Sequence, residues 1–284
     1  MTFALTASHV TLSGAGFAQR PRFGFADRCR AAAAAGFDAV GLHSSDPVLV
    51  DGAEGVRRAL DEAGVRLGEI EFLAGWARGP AALDLDVLDS LVELAREFSP
   101  HHVTAGEFGA EAIDLRLAAT TLRGLVDRFA EHGTLVAVEQ FPWSGLRLTS
   151  ALVEVLNLVG DGAGAMLDIW HHRNCGATPA DLELIRNRVI AVQLNDGALV
   201  SDDFLRHARA DRRLPGDGDL DVTGLVTELR RGGFDGMWCV EASDATLRSQ
   251  SLRRAADRAH ASASTVLRQA YDAARPDVRD GEGP

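Results

Sequence analysis

"HHVTAGE", residues 101–107, is a short apolar run that closes on a carboxylate. "EAIDLRLAATTLRGLVDRFAEHG" (111–133) follows, with apolar residues at helical spacing and a glycine at its end. "TLVAVEQF" (134–141) then repeats the first pattern. Strand, helix and strand in this order make a βαβ unit, whose two strands lie parallel in one sheet. Val103, Ala105 and the run Leu135–Val138 give the two strands apolar centres, as a sheet covered on both faces requires.

The unit recurs in both directions along the chain. Upstream, "HVTLSG" (9–14) leads to "FADRCRAAAAAGF" (25–37), "AVGLH" (39–43) to "GAEGVRRALDEAG" (52–64), and "RLGEIEFLAG" (66–75) to "DVLDSLVELAREF" (86–98). Downstream, the strand at 134–141 leads to "TSALVEVLNLVG" (149–160), "AMLDIW" (165–170) to "PADLELIRN" (179–187), and "VIAVQLND" (189–196) to "DVTGLVTELRRGGF" (221–234) after a longer loop. "GMWCVEA" (236–242) precedes a long helix near 245–273. Gly36, Gly64, Gly133 and Gly233 stand where helices end. Eight strands alternating with eight helices predict an α/β fold, a closed (β/α)₈ barrel. Residues 1–274 read as one domain and "RPDVRDGEGP" (275–284) as a flexible polar tail.

The bulk properties narrow the function. No apolar run has transmembrane length and the N-terminal stretch lacks the pattern of a signal peptide. Cys29, Cys175 and Cys239 are scattered and in no zinc spacing, which suits free thiols in the cytoplasm. A net charge of −12 repels phosphate backbones and argues against nucleic acid as a partner; no feature calls for a membrane. All 29 residues counted as lysine plus arginine are arginine. Without lysine there is no Schiff-base aldolase, no pyridoxal phosphate enzyme and no P-loop.

In such a barrel the working face lies at the C-terminal ends of the strands. The last four strands carry Glu139, Asp168, Gln193 and Glu241 there, each behind apolar neighbours. One such carboxylate is as easily a loop anchor as a functional group. Three carboxylates and an amide on successive strands converge on one point, where their mutual repulsion is costly. With no lysine to neutralise them, a divalent cation is the simple solution. The oxygen-rich set suits Mn²⁺ or Mg²⁺, with Co²⁺ or Zn²⁺ as softer alternatives.

Six segments in order, "AAAAGFDAVGLH", "VAVEQFPWSG", "MLDIWHHRNCG", "AVQLNDG", "DRRLPGDGDLD" and "GFDGMWCVEA", give the chain a family likeness. From about residue 25 to 245 it resembles the xylose isomerase-like TIM barrels, the sugar phosphate isomerase/epimerase superfamily. The resemblance implies one divalent metal held by Glu139, Asp168, Gln193 and Glu241. Many members have histidine where Gln193 stands; the hydroxypyruvate isomerase-like and bacterial 3-dehydroshikimate dehydratase-like branches share the glutamine. "PW" after Glu139 and the pairing of Asp168 with His171 also look like the latter branch. Its members often carry histidine two residues before the arginine of their Arg-x-x-Pro-Gly motif, where this chain has Ala210.

Such a site suits proton removal beside a carbonyl, with an enediolate stabilised by the metal. The resemblance implies Glu139 and Glu241 as ligands and acid–base groups on opposite faces of the substrate. His171 is the candidate to donate a hydrogen bond or shuttle a proton; His172 would point elsewhere in an extended segment. The resemblance places Arg212 toward the substrate, whereas Arg209 and Arg213 read as surface salt-bridge residues. His43, Glu71, Trp76, Trp143 and Trp170 are candidate pocket residues. The expected activity is a sugar or keto-sugar isomerase or epimerase on a small polyhydroxy or keto compound. A dehydratase of the dehydroshikimate type shares the first step. The apurinic endonuclease branch of the fold needs histidine-rich zinc ligation and a basic surface, which this acidic chain lacks. A metal-free binding barrel has no use for four ligand positions. Self-association into a homo-oligomer is left open.

Overall fold

The computed structural model describes residues 3–17 and 19–275. The tail expected at 275–284 lies outside the described residues beyond Arg275.

Eight parallel strands close into a barrel, in chain order around the ring. They are β1 (Leu5–Ala7), β2 (Ala39–His43), β3 (Arg66–Leu73), β4 (His102–Gly106), β5 (Leu135–Glu139), β6 (Ala163–Asp168), β7 (Val189–Leu194) and, closing against β1, β9 (Met237–Val240). A two-residue strand β8 (Asp211–Arg212) pairs antiparallel with β10 (Ser243–Asp244) above the ring. The outer helices include α2 (Phe25–Ala35), α3 (Gly52–Ala63), α4 (Leu85–Phe98), α5 (Leu115–Ala130), α6 (Thr149–Val159), α8 (Pro179–Ile185), α10 (Val222–Arg231) and α12 (Leu252–Ala273). No helix among the described residues is long and apolar enough to cross a membrane.

The expected first strand is displaced. "HVTLSG" is not a strand; His9–Ser13 form the short helix α1, and the strand lies just upstream at Leu5–Ala7. Val10 and Leu12 alternate as in a strand, yet Val10 through Ser13 are all buried, and Gly14 at φ 66° turns the chain out of the helix. Alternation over so short a run does not separate the two conformations.

Expected strands also overran at their functional ends. "AMLDIW" stops being a strand at Asp168, and Ile169–Asn174 form helix α7. The Asp168 side chain ends the strand and caps the helix by accepting from the His171 N–H at 2.8 Å. The long loop after β7 holds a further helix, α9 (Phe204–Ala210). The final helical stretch is split into α11 (Ala245–Arg248) and α12, with Ser251 capping the second.

Strand register stacks the interior in layers. Ala137, Met166 and Ala191 form a buried cluster. Each precedes by two residues Glu139, Asp168 or Gln193, so the pleat sets the small apolar layer directly beneath the polar one. Gly106, at the end of β4, carries no Cβ for a packing reason: one would lie 2.6 Å from ring atoms of both Phe72 and Phe141.

Candidate active site

The four strand ends do converge. Glu139, Asp168, Gln193 and Glu241 are all buried, at 5, 2, 1 and 6% exposure. Ligand atoms of Glu139, Asp168 and His171 all lie within 4.8 Å of one another. The His171 imidazole, expected as a hydrogen-bond donor or proton shuttle and not as a ligand, thus joins the cluster itself. Its Nε2 stands 3.6 Å from Glu139 Oε1. Capping by Asp168 turns His171 inward, because residues i and i+3 share a helix face. His172 is buried as well, beside Gln140 and Met166, away from the cavity above the carboxylates.

Arg212 changes the charge argument. Its Nη1 is 2.8 Å from Asp168 Oδ2 and its Nη2 is 2.8 Å from Glu241 Oε1. The expectation that only a cation from solution balances these carboxylates is therefore corrected: an arginine supplies part of the charge. It arrives through the β8–β10 ladder, which pairs Arg212 with Ser243, two residues after Glu241. Asn195, another residue not anticipated, donates to Asp168 Oδ2 at 2.6 Å while accepting from the Trp170 N–H.

Gln193 donates its Nε2 to Glu241 Oε2, leaving its buried Oε1 without a partner. His171 Nδ1 is likewise buried and unpartnered. Burial is the main reason the Glu139 carboxyl stands well above the ordinary carboxylate range; Glu241 and Asp168 push it the same way and Arg212 opposes. Burial also lifts Glu241, to about 7, against the pull of Arg212. Glu71 is raised by burial and then by Glu69, Glu241 and Glu139. Burial lowers His171 to about 3 despite Asp168. On Arg212 burial opposes charge, but Glu241, Asp168 and Glu139 outweigh it and hold the guanidinium above the usual arginine range. The clustered Glu139, Asp168 and His171, with the unpartnered Gln193 Oε1 beside them, are donors of the kind a divalent cation takes, so the residues fit one.

Above this floor opens a cavity of about 310 Å³, reached by Glu71, Glu139, His171, Arg212 and Glu241. Trp143 lines it, as expected. Trp170 does not: it is fully buried and packs edge-on behind His171, with ring centroids 5.2 Å apart. Trp76 is fully buried in the core too. Both indoles are large enough to fill core space, and that claim won. His43 stands beside the rim, 5.6 Å from the Phe17 ring, and its Nδ1 pairs with Ser45 Oγ at 2.8 Å. Arg209 and Arg213 make no ion pair among the described residues, contrary to their reading as salt-bridge residues, and Arg209 lines the cavity. The sequence reading also missed Phe72, Phe108 and Phe141 on the wall. A signal was there: "EF" (71–72), "EF" (107–108) and "QF" (140–141) repeat at the ends of three successive strands.

A family model described as "Xylose isomerase-like TIM barrel" matches residues 29–269. The chain belongs to this family. A 3-dehydroshikimate dehydratase of Pseudomonas aeruginosa is 26% identical over 238 residues, 80% of this chain and 37% of the relative. The chain thus spans little more than a third of the curated relatives it matches. A xylose isomerase-like TIM barrel/4-hydroxyphenylpyruvate dioxygenase fusion protein superposes with a TM-score of 0.82 at 20% identity, over 98% of this chain and 46% of its own. The IolI protein, solved with a zinc atom bound, gives 0.80 at 16% identity, over 93% and 98%.

Proposed function

We propose that the chain is a divalent-metal-dependent isomerase or epimerase of a sugar, keto-sugar or related hydroxy-ketone. The observation that carries this is the pair Glu139 and Glu241, two buried carboxyls that meet at one cavity floor with His171. Glu139, Asp168 and the His171 imidazole have the spacing to hold the metal, and Gln193 Oε1 and Glu241 would complete the set. When bound, a divalent ion draws electron density from a carbonyl oxygen and lowers the cost of negative charge there.

The chain's own groups do the proton work. One glutamate takes a proton from the carbon beside the carbonyl, and the electron pair moves to the carbonyl oxygen, giving an enediolate. The other glutamate returns a proton to carbon. Neutral His171 offers a hydrogen bond to a substrate oxygen. Arg212 keeps Glu241 and Asp168 aimed inward. Mn²⁺ or Mg²⁺ suits the oxygen-rich set; zinc, as bound by IolI, draws support from His171.

A second reading, a dehydratase, is favoured by the similarity to 3-dehydroshikimate dehydratases. The first step is the same, but the proton is then given to a departing hydroxyl. Incubating the Mn²⁺-loaded protein with keto-sugars, polyol ketones and dehydroshikimate in D₂O separates the two. Deuterium gained at carbon with no loss of mass as water supports the isomerase. A product lighter by one water selects the dehydratase. Glu241→Gln is expected to abolish exchange on whichever substrate reacts.

A further inference from the structure

Three glutamates line the cavity, and they are not equally placed. One oxygen of Glu241 stands 2.8 Å from Arg212 Nη2 and the other accepts from Gln193 Nε2. Glu139 clusters with Asp168 and His171. Glu71, near the end of β3, belongs to neither arrangement. Its side chain is buried at the cavity edge and makes no hydrogen bond or ion pair among the described residues. It joins no cluster of three ligand atoms there either.

The main chain at Glu71 is held while its carboxyl is not. Strand register sets it between His43 of β2 and Thr104 of β4, and its carbonyl accepts from the Ser44 N–H at 2.5 Å. The His43 imidazole is turned to Ser45, whose Oγ is 2.8 Å from Nδ1. Glu69, two residues earlier, has neighbours of its own: Oε1 accepts from Cys239 Sγ at 3.0 Å and Oε2 lies 3.4 Å from His102 Nε2.

A negative charge on Glu71 would have no counter-ion. Asp168 and Glu241 already occupy the buried Arg212. Burial in a cavity walled by Phe72, Phe108 and Phe141 disfavours the charged form, and Glu69, Glu241 and Glu139 repel it further, against the weaker pull of Arg212. The neutral acid keeps one O–H to donate into the cavity.

Moving a carbonyl along a carbon chain takes more than acid–base work at carbon. One oxygen must also gain a proton and its neighbour must lose one. We infer that Glu71 carries this proton on oxygen. Its O–H gives the proton to the enediolate oxygen, and the carboxylate so formed takes the proton of the adjacent hydroxyl, so Glu71 ends as it began. Where the substrate instead loses water, the same O–H serves the departing hydroxyl. The C–O bond then breaks with its electron pair on oxygen, and a solvent proton restores the acid. The inference rests on the proposed function for the enediolate; the placement of Glu71 does not.

The test compares the wild type with Glu71→Gln and Glu71→Asp, as Mn²⁺-loaded full chains, on keto-sugars, polyol ketones and dehydroshikimate in D₂O. On whichever substrate reacts, Glu71→Gln is expected to lower product formation by about 100-fold or more. Deuterium exchange at carbon in the recovered substrate is expected to stay within about threefold of wild type. Glu71→Asp retains an acid and is expected to turn over at least about tenfold faster than Glu71→Gln. Mn²⁺ affinity is expected to change by no more than about threefold in either variant. Exchange and product formation falling by the same factor in Glu71→Gln overturns the inference, as does unchanged product formation. An aspartate no better than glutamine also overturns it, and loss of Mn²⁺ uptake does so by placing Glu71 among the ligands. Infrared spectra of the metal-stripped chains at neutral pH give a readout that needs no turnover. The wild type is expected to show a protonated-carboxyl band that Glu71→Gln lacks; identical bands overturn the inference. A wild type that exchanges no proton from any of these substrates defeats the proposed function, and the infrared comparison then decides the role of Glu71 by itself.

Discussion

The Arg212 guanidinium spans Asp168 and Glu241, 2.8 Å from an oxygen of each, in a site where all three side chains are buried. It tethers the ends of β6 and β9 across the intervening β7. Breaking a buried pair leaves uncompensated charge, which costs about 3–5 kcal/mol. Arg212→Met is therefore expected to lower unfolding stability by that order. A divalent cation bound only by the folded state adds stability by mass action. It should add more once the competing guanidinium is gone. Thermal denaturation with and without Mn²⁺ gives the comparison. An equal metal increment in both proteins would mean that Arg212 and the metal do not share these carboxylates.

Asp168 serves three donors in addition to any metal. It accepts from the His171 N–H at 2.8 Å, Asn195 Nδ2 at 2.6 Å and Arg212 Nη1 at 2.8 Å. Asp168→Ala is expected to abolish stoichiometric Mn²⁺ uptake. The lost helix cap alone costs about 1 kcal/mol, and the orphaned Arg212 adds to it. Elemental analysis and denaturant titration read the two effects separately. Metal stoichiometry that survives the substitution removes Asp168 from the ligand set.

The opposite end of the barrel carries a pH effect. Burial, then the neighbouring His102, lowers His101 to about 4. An unfolded histidine binds its proton near pH 6.5. Between these values the unfolded chain holds one more proton than the fold at this position. His101 thus contributes stability that is present above about pH 6.5 and is lost as pH falls toward 4. His101→Asn removes the titration. Stability profiles of the two proteins should diverge across that window, the variant losing less on acidification. Parallel profiles would show that His101 does not titrate differently in the fold.

The barrel was legible because period and punctuation agreed. Apolar runs, helical spacing and helix-ending glycines such as Gly36 and Gly64, both at positive φ, point to one topology. The displaced first strand shows the limit: three residues of β1 carry too little pattern, while Val10 and Leu12 mimic alternation from inside a helix. Four strand-end residues were legible because each interrupts an apolar run. Arg212 was placed toward the substrate, but its ion pairs depend on the β8–β10 ladder, a contact between segments distant in sequence that no local pattern reports. His171 was legible as a candidate proton donor, but its place among the ligand atoms was hidden by reading Ile169 and Trp170 as strand. Residue i+3 faces the carboxylate only once Asp168 has capped a helix.

Gln193 offers the sharpest test of the ligand set. Its Nε2 is given to Glu241, and its Oε1 is buried with no partner. An unpaired buried acceptor is costly, and a bound cation would remove that cost. Gln193→His exchanges the amide oxygen for an imidazole nitrogen on the same strand. The variant is expected to retain divalent-metal binding and to shift its preference from Mn²⁺ toward Zn²⁺ or Co²⁺, because nitrogen ligands suit those ions better. Competition titrations of Mn²⁺ against Zn²⁺ in the two proteins measure the shift directly. A Mn²⁺/Zn²⁺ ratio identical in both proteins would place Gln193 outside the ligand shell and leave its unpartnered oxygen to be explained by something other than a metal.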